Sequence, residues 1–288
     1  MISQTALLCA LARAVHTHSN SEKLFEDQFA QDFVSLKDYR NARNLAKNFF
    51  PAKSGLKKSY LAKDLLNQYF LPIILPRNRF AEDIVEAKQK EGKVQYVLLG
   101  AGLDSFALRN KSENVEVFEL DLRETQAFKI ERVKKLIANN RPNVHFVEID
   151  FNKDSIIDKL TNAGFNPNTP SVFSILGVSY YIPIEIFFKT VTQISQIAAP
   201  GSGLVFDYYE KEEIPNALAK ITRLKQITSD CGERMADGYD PKQVVELVKK
   251  SGFNRCLDLA PNDIDKSFFK ANSGLAAFEG VHLIYGEK

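Results

Sequence analysis

Two glycines separated by one residue are the part of this sequence best suited to holding a ligand. Residues 94–99 are largely apolar and predict a buried strand, and Gly100, Ala101 and Gly102 follow it directly. Two glycines in such a turn let the backbone approach a ligand closely, because no Cβ atom stands in the way. The dinucleotide-binding pattern has a third glycine three residues later, where this chain has Ser105. The turn therefore favours a small nucleoside cofactor over one bound by its pyrophosphate.

An acidic residue ends the second predicted strand, residues 115–120. Asp121 follows this strand and lies about 20 residues after Gly102, the offset at which a carboxylate accepts hydrogen bonds from the hydroxyls of a ribose. Glu119 is on the same side of the strand and is an alternative for this role. Asp121 is nearer the end of the strand and is the preferred candidate, against the alternative of a solvated loop aspartate.

The third predicted strand, residues 144–149, is followed by Asp150 and Phe151. The Asp150 carboxylate can accept a hydrogen bond from an adenine amino group while the Phe151 ring flanks the base. Taken alone, an aspartate after a strand is more often a turn former. Ligands of open α/β sheets bind at the carboxyl ends of the strands, however, and the glycine turn and both acids fall there.

Apolar runs alternate with stretches of helical periodicity after residue 92, which predicts a parallel sheet with right-handed crossovers. The predicted strands are residues 94–99, 115–120, 144–149, 171–176, 203–208, 254–260 and 281–285. The last two are expected to form an edge that is similar to a hairpin. Seven strands describe a methyltransferase sheet better than a six-stranded nucleotide-binding sheet. The predicted fold class is therefore α/β, with a Rossmann-like sheet.

The first 92 residues differ in character, with apolar positions at helical spacing and no strand-like alternation. Near their start, Thr5 precedes an amphipathic apolar pattern and predicts an N-capped helix rather than a signal peptide. We expect residues 1–92 to form a helical lid region. Residues 93–288 then form the core, with a helical insertion at about 210–240 that contributes to the lid.

Composition argues against several classes of partner. The 288 residues carry a net charge of +2 with no basic cluster among aromatic residues, so nucleic-acid binding is not expected. No run approaches the roughly 18 apolar residues of a membrane span. Cys9, Cys231 and Cys256 are far apart, without metal-ligand spacing, which indicates a reducing compartment. We expect a cytoplasmic protein without a metal, and the sequence leaves its oligomeric state open.

With these positions in place, the chain resembles the leucine carboxyl methyltransferase-like family of S-adenosylmethionine-dependent methyltransferases. The resemblance extends over most of the chain and includes residues 77–83, 99–105, 118–121, 147–151, 200–208 and 232–233. It implies that the turn from Gly100 to Gly102 lines the amino-acid part of the cofactor and that Asp121 binds its ribose. It also implies that Asp150 and Phe151 hold the adenine.

The resemblance further implies an arginine ahead of the first strand that binds the carboxylate of the cofactor. Arg79 is the best match and Arg77 is the alternative, and the planar guanidinium of either can bind a carboxylate through two hydrogen bonds. Arg13 matches a helical position that faces the mouth of the active site in this family. A surface position is the alternative for each of these arginines.

Two positions depart from the family pattern. Members commonly carry a glutamate after the fourth strand, close to the amino group of the cofactor, where this chain has Leu176. The missing charge-assisted contact is worth about 1.5–3 kcal/mol, so cofactor binding is either weakened or completed by another group. Phe106 replaces an arginine of many bacterial members and is expected to change packing rather than chemistry.

The expected activity is O-methylation of a carboxylate or hydroxyl group of a small molecule, with S-adenosyl-L-homocysteine as the second product. Tyr180 and Tyr181 follow the fourth strand and are candidates for the substrate pocket, together with Arg13. Strand alternation would send the two tyrosines to opposite faces, with one of them in the core. A catalytic base cannot be assigned from the sequence.

Three other functions fit parts of the pattern. Methylation of a protein C-terminal carboxylate is the alternative within the family. A nicotinamide-dependent oxidoreductase is disfavoured by Ser105 at the third glycine position. A non-catalytic S-adenosylmethionine-binding or assembly protein is the third, because Leu176 replaces the usual acid.

Overall fold

A seven-stranded sheet with the strand order β3-β2-β1-β4-β5-β7-β6 lies at the centre of the computed structural model. The structure describes residues 2–19, 23–50, 59–137, 142–151, 153–211, 215–269 and 274–288. The strands are β1 (Val94–Leu99), β2 (Val115–Asp121), β3 (Val144–Glu148), β4 (Ser171–Ile175), β5 (Gly203–Tyr209), β6 (Arg255–Leu259) and β7 (Val281–Glu287). The first five pair in parallel, and β7 pairs antiparallel with both β5 and β6. The predicted fold class and number of strands are confirmed.

Helices connect the strands and extend ahead of them. They are α1 (Gln4–Thr17), α2 (Leu36–Phe49), α3 (Ser59–Tyr69), α4 (Leu71–Gln89), α5 (Phe106–Arg109), α6 (Arg123–Ile137), α7 (Ile156–Asn162), α8 (Ile184–Ile197), α9 (Pro215–Asp230), α10 (Pro241–Lys250) and α11 (Pro261–Phe268). A short 3₁₀ turn, Ser179–Tyr181, follows β4. The parts of the expected lid at residues 1, 20–22, 51–58 and 212–214 lie outside the described residues.

The strand order reverses between β1 and β4, which lie side by side in the middle of the sheet. Leu99 pairs with Leu120 of β2, and Ile175 pairs with Phe206 of β5. The carboxyl ends of these parallel strands therefore meet at one edge. A crevice forms at this edge because the connections after β1 and β4 leave in opposite directions, and such a reversal is where open α/β sheets bind ligands.

A hydrophobic cluster covers this edge of the sheet. Most of its buried members come from α1, α2, α3, α4 and α9, and the others are Phe25, Phe70, Tyr180, Tyr209, Met235, Phe278 and Val281. The region ahead of β1 and the helix after β5 thus share one core. A second cluster fills the space between the sheet and helices α7, α8 and α10.

The start of α1 differs from the sequence prediction. Ser3, rather than Thr5, is the N-cap, and its Oγ accepts a hydrogen bond from the backbone N–H of Ala6 at 3.0 Å. Thr5 already lies within the helix, and its hydroxyl donates to Glu233, which is far away in sequence. The prediction was wrong because a long-range acceptor, invisible in the local pattern, recruits the Thr5 hydroxyl.

A search of the part of the chain that the structure describes finds no helix with the length and apolar character needed to cross a membrane.

Candidate functional site

A cavity of about 320 Å³ lies at the carboxyl ends of β1, β2 and β4. Its floor consists of the turn after β1, the end of β2 and the residues after β4: Leu98–Asp104, Asp121, Leu122, Ser174 and Leu176–Val178. Its roof consists largely of apolar and aromatic side chains from α1, α3, α4 and α9, with Glu233 and Met235 from the loop before α10. The volume is within the range of small-molecule sites.

The glycine turn has the backbone conformation that only glycine adopts without strain. Gly100 has a φ of +75° and Gly102 a φ of +52°. The N–H groups of Gly100 and Ala101 both donate to the carbonyl of Leu120, at 2.9 and 3.0 Å, which joins the turn to β2. A Cβ atom on Gly100 would lie 2.6 Å from Cγ2 of Val178, in the segment after β4. The Val178 side chain therefore packs directly against this glycine.

The variant Gly100→Ala is expected to lose about 2–5 kcal/mol of unfolding free energy. About 1–2 kcal/mol arises from the left-handed backbone and about 1–3 kcal/mol from the clash with Val178. Gly164→Ala is the matched control, because Gly164 has a φ of +92° with open space around its Cβ position. Urea denaturation should give the control only the backbone cost, and equal losses in the two variants would contradict the close approach of Val178.

Asp121 lies at the edge of the cavity and is hydrogen-bonded to the glycine turn. Its Oδ2 accepts from the N–H of Gly102 at 2.6 Å, and its Oδ1 accepts from the N–H of Leu122 at 2.7 Å. Burial raises the pKa of Asp121, and these two backbone bonds act in the opposite direction. The carboxylate therefore stays beside the turn, where it can accept hydrogen bonds from a ligand.

Glu119, the alternative to Asp121, lies deeper in the molecule and does not line the cavity. It is 1% exposed, and its Oε2 is 2.5 Å from Nζ of the equally buried Lys129. Burial raises the pKa of Glu119 to about 7, although Lys129 acts in the opposite direction. The structure thus gives Glu119 an internal partner and leaves the position at the cavity to Asp121.

Asp150 and Phe151 follow β3 as predicted, but neither is among the residues that line the cavity. The Asp150 carboxylate lies 2.7 Å from Nζ of Lys153. Phe151 is partly buried against the cluster between the sheet and its helices. The loop is nevertheless joined to the site, because the N–H of Ile149 donates to the carbonyl of Asp121 at 2.9 Å.

The two candidate arginines of α4 have different environments. Arg79 is 46% exposed, pairs with Asp83 at 2.6 Å, and is not among the cavity residues. Arg77 lines the cavity and is largely buried, with Nη1 at 2.9 Å from Oδ2 of Asp207. Residues two apart on a helix face different directions, which explains the separation. The structure therefore places Arg77, not the preferred Arg79, at the cavity.

One nitrogen of Arg77 has no protein partner in the part of the chain that the structure describes. Its Nε is buried without a hydrogen bond. Unpartnered buried donors are costly and uncommon in native proteins. The Nε–H is therefore suited to an acceptor supplied by a ligand.

Asp207, at the end of β5, organises the residues after β4. Its side chain is fully buried and accepts from Arg77, from the N–H of Gly177 at 2.6 Å and from the hydroxyl of Tyr180 at 2.9 Å. Gly177 has a φ of +71°, and a Cβ atom there would lie 2.8 Å from Nη1 of Arg77. The carboxylate thus fixes both the arginine and the turn that carries Leu176.

Tyr180 and Tyr181 both line the cavity. The expectation that the two side chains point to opposite faces was wrong, because the segment is a 3₁₀ turn rather than an extension of β4. The expectation that one of them lies in the core is confirmed for Tyr180, which is buried in the cluster that covers this edge of the sheet. The Tyr180 hydroxyl is bound to Asp207. The Tyr181 hydroxyl lies 3.5 Å from Oγ1 of Thr5, which brings it close to the start of α1.

Leu176 lines the cavity with an apolar side chain at the position where the family pattern has an acid. Phe106 is buried in the cluster on the α4 side of the sheet, and its ring packs edge-on against Tyr96 with centroids 4.7 Å apart. The Phe106 departure therefore concerns packing. The Leu176 departure changes the lining of the cavity itself.

Arg13 also lines the cavity, but its guanidinium already has partners. Nε donates to Oδ2 of Asp27 at 2.7 Å, and Nη2 donates to the carbonyl of Leu103 at 2.5 Å. Burial alone would raise the pKa of Asp27, but Arg13, a Ser105 hydrogen bond and Arg109 together lower it. The pair joins α1 to the turn after β1, so Arg13 positions the roof of the cavity.

Two residues of the site were not identified as site candidates from the sequence. Asp207 lies within the predicted strand 203–208, and Glu233 belongs to a Gly-Glu pair of the family pattern. The Glu233 carboxylate accepts hydrogen bonds from Ser3 and Thr5 and lines the cavity. Their roles are visible only in the folded structure, because each carboxylate binds residues that are distant from it in sequence.

The three cysteines are free. Cys9 lines the cavity, where burial raises the pKa of its thiol despite the nearby Arg77 and Arg13. The thiol is thus held in its neutral form, which is a poor nucleophile. Within the described ranges there is no group of His, Cys, Asp and Glu residues that could hold a metal ion.

The strand order, the glycine turn at the reversal point and the acid at the end of β2 define a class I methyltransferase. The leucine carboxyl methyltransferase family matches residues 6–195, and this chain belongs to that family. It is an S-adenosyl-L-methionine-dependent methyltransferase. This excludes the nicotinamide-dependent alternative.

Similar proteins support the assignment. YktD of Bacillus subtilis (strain 168), provisionally named an S-adenosyl-L-methionine-dependent methyltransferase, is 30% identical over 99% of this chain and 98% of its own length. Among solved structures, a DUF574 family protein from Streptomyces avermitilis has a TM-score of 0.59 and is 12% identical. The match covers 100% of this chain and 98% of the other chain. A provisionally assigned methyltransferase from Thermobifida fusca has a TM-score of 0.55 at 14% identity, covering 86% and 94%. These two structures show the shared fold.

Proposed function

We propose that this enzyme transfers a methyl group from S-adenosyl-L-methionine to a carboxylate or hydroxyl oxygen of a small molecule. The observation that carries the proposal is one continuous cavity with two kinds of lining. The glycine turn and Asp121 line one part, and apolar and aromatic residues beneath α1, α3 and α9 line another. We therefore propose that a cofactor and a small acceptor share this one cavity. The roof favours a small molecule over the carboxyl terminus of a protein.

The residues at the floor fit the cofactor. We assign Gly100, Ala101 and Gly102 to its amino-acid part, because the three residues line the cavity and the two glycines present no side chain to it. Asp121 is assigned to the ribose hydroxyls, and Leu176 contributes an apolar contact. Asp150 and Phe151 are proposed for the adenine, supported by the hydrogen bond between their loop and Asp121.

The unpartnered Nε–H of Arg77 is assigned to the carboxylate of the cofactor. A guanidinium that already neutralises Asp207 can still donate this hydrogen bond, because Arg carries five N–H donors. Arg79 has no comparable position. Arg77 therefore replaces Arg79 in the proposal.

When bound, the cofactor supplies an electrophilic methyl group on a positively charged sulfur. The protein contributes orientation, which can account for much of a rate enhancement, and a cavity whose apolar roof excludes water. A carboxylate acceptor needs no base, whereas a hydroxyl acceptor must lose its proton. We propose that residues 1–92 and the insertion at about 210–240 act as a lid, since α1, α3, α4 and α9 form the roof.

Calorimetry with S-adenosyl-L-homocysteine tests the cofactor site. The variant Arg77→Lys keeps the charge beside Asp207 but loses the planar fork, so we expect about 10–100-fold weaker binding, the loss of one charge-assisted hydrogen bond. The matched control Arg79→Lys should bind within about twofold of wild type, because Arg79 forms only an exposed ion pair. If only Arg79→Lys binds S-adenosyl-L-homocysteine more weakly, the carboxylate of the cofactor is assigned to Arg79 instead of Arg77. Failure of the wild-type protein to bind at millimolar concentration would reject the function.

A further inference from the structure

We propose that the acceptor atom is the hydroxyl oxygen of a neutral, largely apolar molecule such as a phenol, and that Glu233 receives its proton. This inference rests on the proposed function and specifies the substrate class for the same cavity. Two observations carry the inference: the charged side chains that line the cavity, and the hydrogen bonds of Glu233.

The cationic side chains of the cavity are already neutralised. Arg13 and Arg77 are the basic residues among the described cavity lining, and each is bound to a buried aspartate, at 2.7 and 2.9 Å. A buried carboxylate needs an opposite charge to offset its desolvation. A carboxylate acceptor would therefore meet no cation that lacks a buried counter-ion, and the unpartnered Nε–H of Arg77 is assigned to the cofactor.

Glu233, in contrast, has no basic partner. Within the part of the chain that the structure describes, no Lys, Arg or His nitrogen lies within 4.0 Å of its carboxylate, which is held by Ser3 and Thr5 alone. Its negative charge acts on the cavity: burial raises the pKa of Tyr181 and the charge of Glu233 adds to that shift. The same charge would repel an acceptor carboxylate.

The hydrogen bonds of Glu233 leave room for one more donor. Oε1 accepts from the Ser3 hydroxyl at 2.9 Å and from the Thr5 N–H at 3.2 Å, and Oε2 accepts from the Thr5 hydroxyl at 2.5 Å, with the Ser3 hydroxyl also 3.1 Å away. The Ser3 hydroxyl has a single hydrogen, which the two oxygens share. Three hydrogens thus occupy about four lone-pair sites, so one site remains. A hydroxyl group donates a single hydrogen and matches this vacancy.

An ammonium group fits the same site less well. It carries three N–H donors, of which Glu233 could accept one. The others would face a roof that contains Phe70, Ile73 and Ile74, and unsatisfied buried donors are costly. The apolar roof instead suits the hydrocarbon body of a phenol or alcohol.

The reaction balances with these groups alone. The acceptor O–H bond breaks as its proton passes to the Glu233 carboxylate, and the acceptor oxygen forms a bond to the methyl carbon. The bond between methyl and sulfur breaks with its electron pair remaining on sulfur, so the products are a methyl ether and neutral S-adenosyl-L-homocysteine. Glu233 then releases the proton to solvent.

The test compares matched phenols and carboxylates binding to the protein saturated with S-adenosyl-L-homocysteine. The probes are phenol and benzoate, 4-isopropylphenol and 4-isopropylbenzoate, and 2-naphthol and 2-naphthoate, measured by calorimetry. We expect the wild-type protein to bind at least one phenol about tenfold or more tightly than its carboxylate partner. In Glu233→Gln the carboxylate should bind about tenfold more tightly than in wild type, because like-charge repulsion is removed. The phenol should bind more weakly, because its hydroxyl loses a charged hydrogen-bond acceptor.

Activity supplies a second measurement. Methylation of the bound phenol should fall about 10²–10⁴-fold in Glu233→Gln, the typical contribution of a general base. Asp237→Asn is the control, since Asp237 is on the same loop but exposed and outside the cavity lining. Tighter binding of carboxylates by wild type, an unchanged preference in Glu233→Gln, or no binding of any probe would each overturn the inference. Binding of S-adenosyl-L-homocysteine by the same sample keeps these outcomes separate from failure of the proposed function.

Discussion

Replacing Asp207 with asparagine is expected to lower the unfolding free energy by about 3–5 kcal/mol, the cost of breaking a buried ion pair on one side. The Asp207 side chain is fully buried and receives donors from Arg77, Gly177 and Tyr180. Asparagine has nearly the same size but carries no charge, so the guanidinium of Arg77 would remain buried without a counter-ion. Its amide NH₂ group would also face hydrogen-bond donors.

Urea denaturation of Asp207→Asn measures this loss. Asp83→Asn is the control, because Asp83 forms an exposed ion pair with Arg79, and such pairs contribute about 0–1 kcal/mol. A loss below about 1 kcal/mol in Asp207→Asn would show that Arg77 does not depend on this carboxylate. The turn that carries Leu176 would then need another support.

The second large effect concerns cofactor affinity. Asp121→Ala is expected to weaken the binding of S-adenosyl-L-homocysteine by roughly 10²–10⁴-fold, since two charge-assisted hydrogen bonds to ribose hydroxyls are worth about 1.5–3 kcal/mol each. The variant also removes the acceptor that holds the N–H of Gly102 at 2.6 Å. Both effects act on the same ligand because the turn and the carboxylate border one cavity.

Calorimetry with matched variants of β2 separates this role from general damage. Glu116 lies on the same strand but pairs with His145 at the surface. The affinity of Glu116→Ala for S-adenosyl-L-homocysteine should therefore stay within about twofold of wild type. Glu119→Gln tests the alternative ribose residue and should have a much smaller effect on affinity than Asp121→Ala. A larger effect at Glu119 would transfer the ribose assignment to that residue.

The central strands β1, β4 and β5 were predictable because every residue of each is buried and they read as largely apolar runs. All six residues of β1 are buried, and the predicted limits of this strand match those observed. The glycine turn and Asp121 follow from the same signal, since their positions depend only on where two strands end. These parts of the site required no information about distant contacts.

Helix orientation was harder to predict. The first turns of α4 are buried almost all round, from Leu71 to Pro76, so no polar face shows which side of the helix meets the cavity. Arg77 and Arg79 are therefore equivalent in the sequence, although they face different surroundings in the structure. Amphipathic periodicity locates a helix but fixes its rotation only when one face is exposed.

Short-range patterns also fail where the chain changes conformation within a few residues. Tyr180 and Tyr181 follow a strand, but the 3₁₀ turn sends both to the cavity. Glu233 is separated from its partners Ser3 and Thr5 by most of the chain. No local rule pairs such residues, and only the closed fold brings them together.

The contact between Glu233 and the first turn of α1 links protonation to the mechanics of the roof. Ser3 both caps α1 and donates to Glu233, and Thr5 donates twice to the same carboxylate. Hydrogen bonds to an ionised carboxylate are roughly twice as strong as those to a neutral acid. The ionised form of Glu233 therefore fastens the helix more firmly than the protonated form. In the proposed reaction, transfer of the acceptor proton to Glu233 would therefore weaken the contact between the first turn of α1 and the loop before α10.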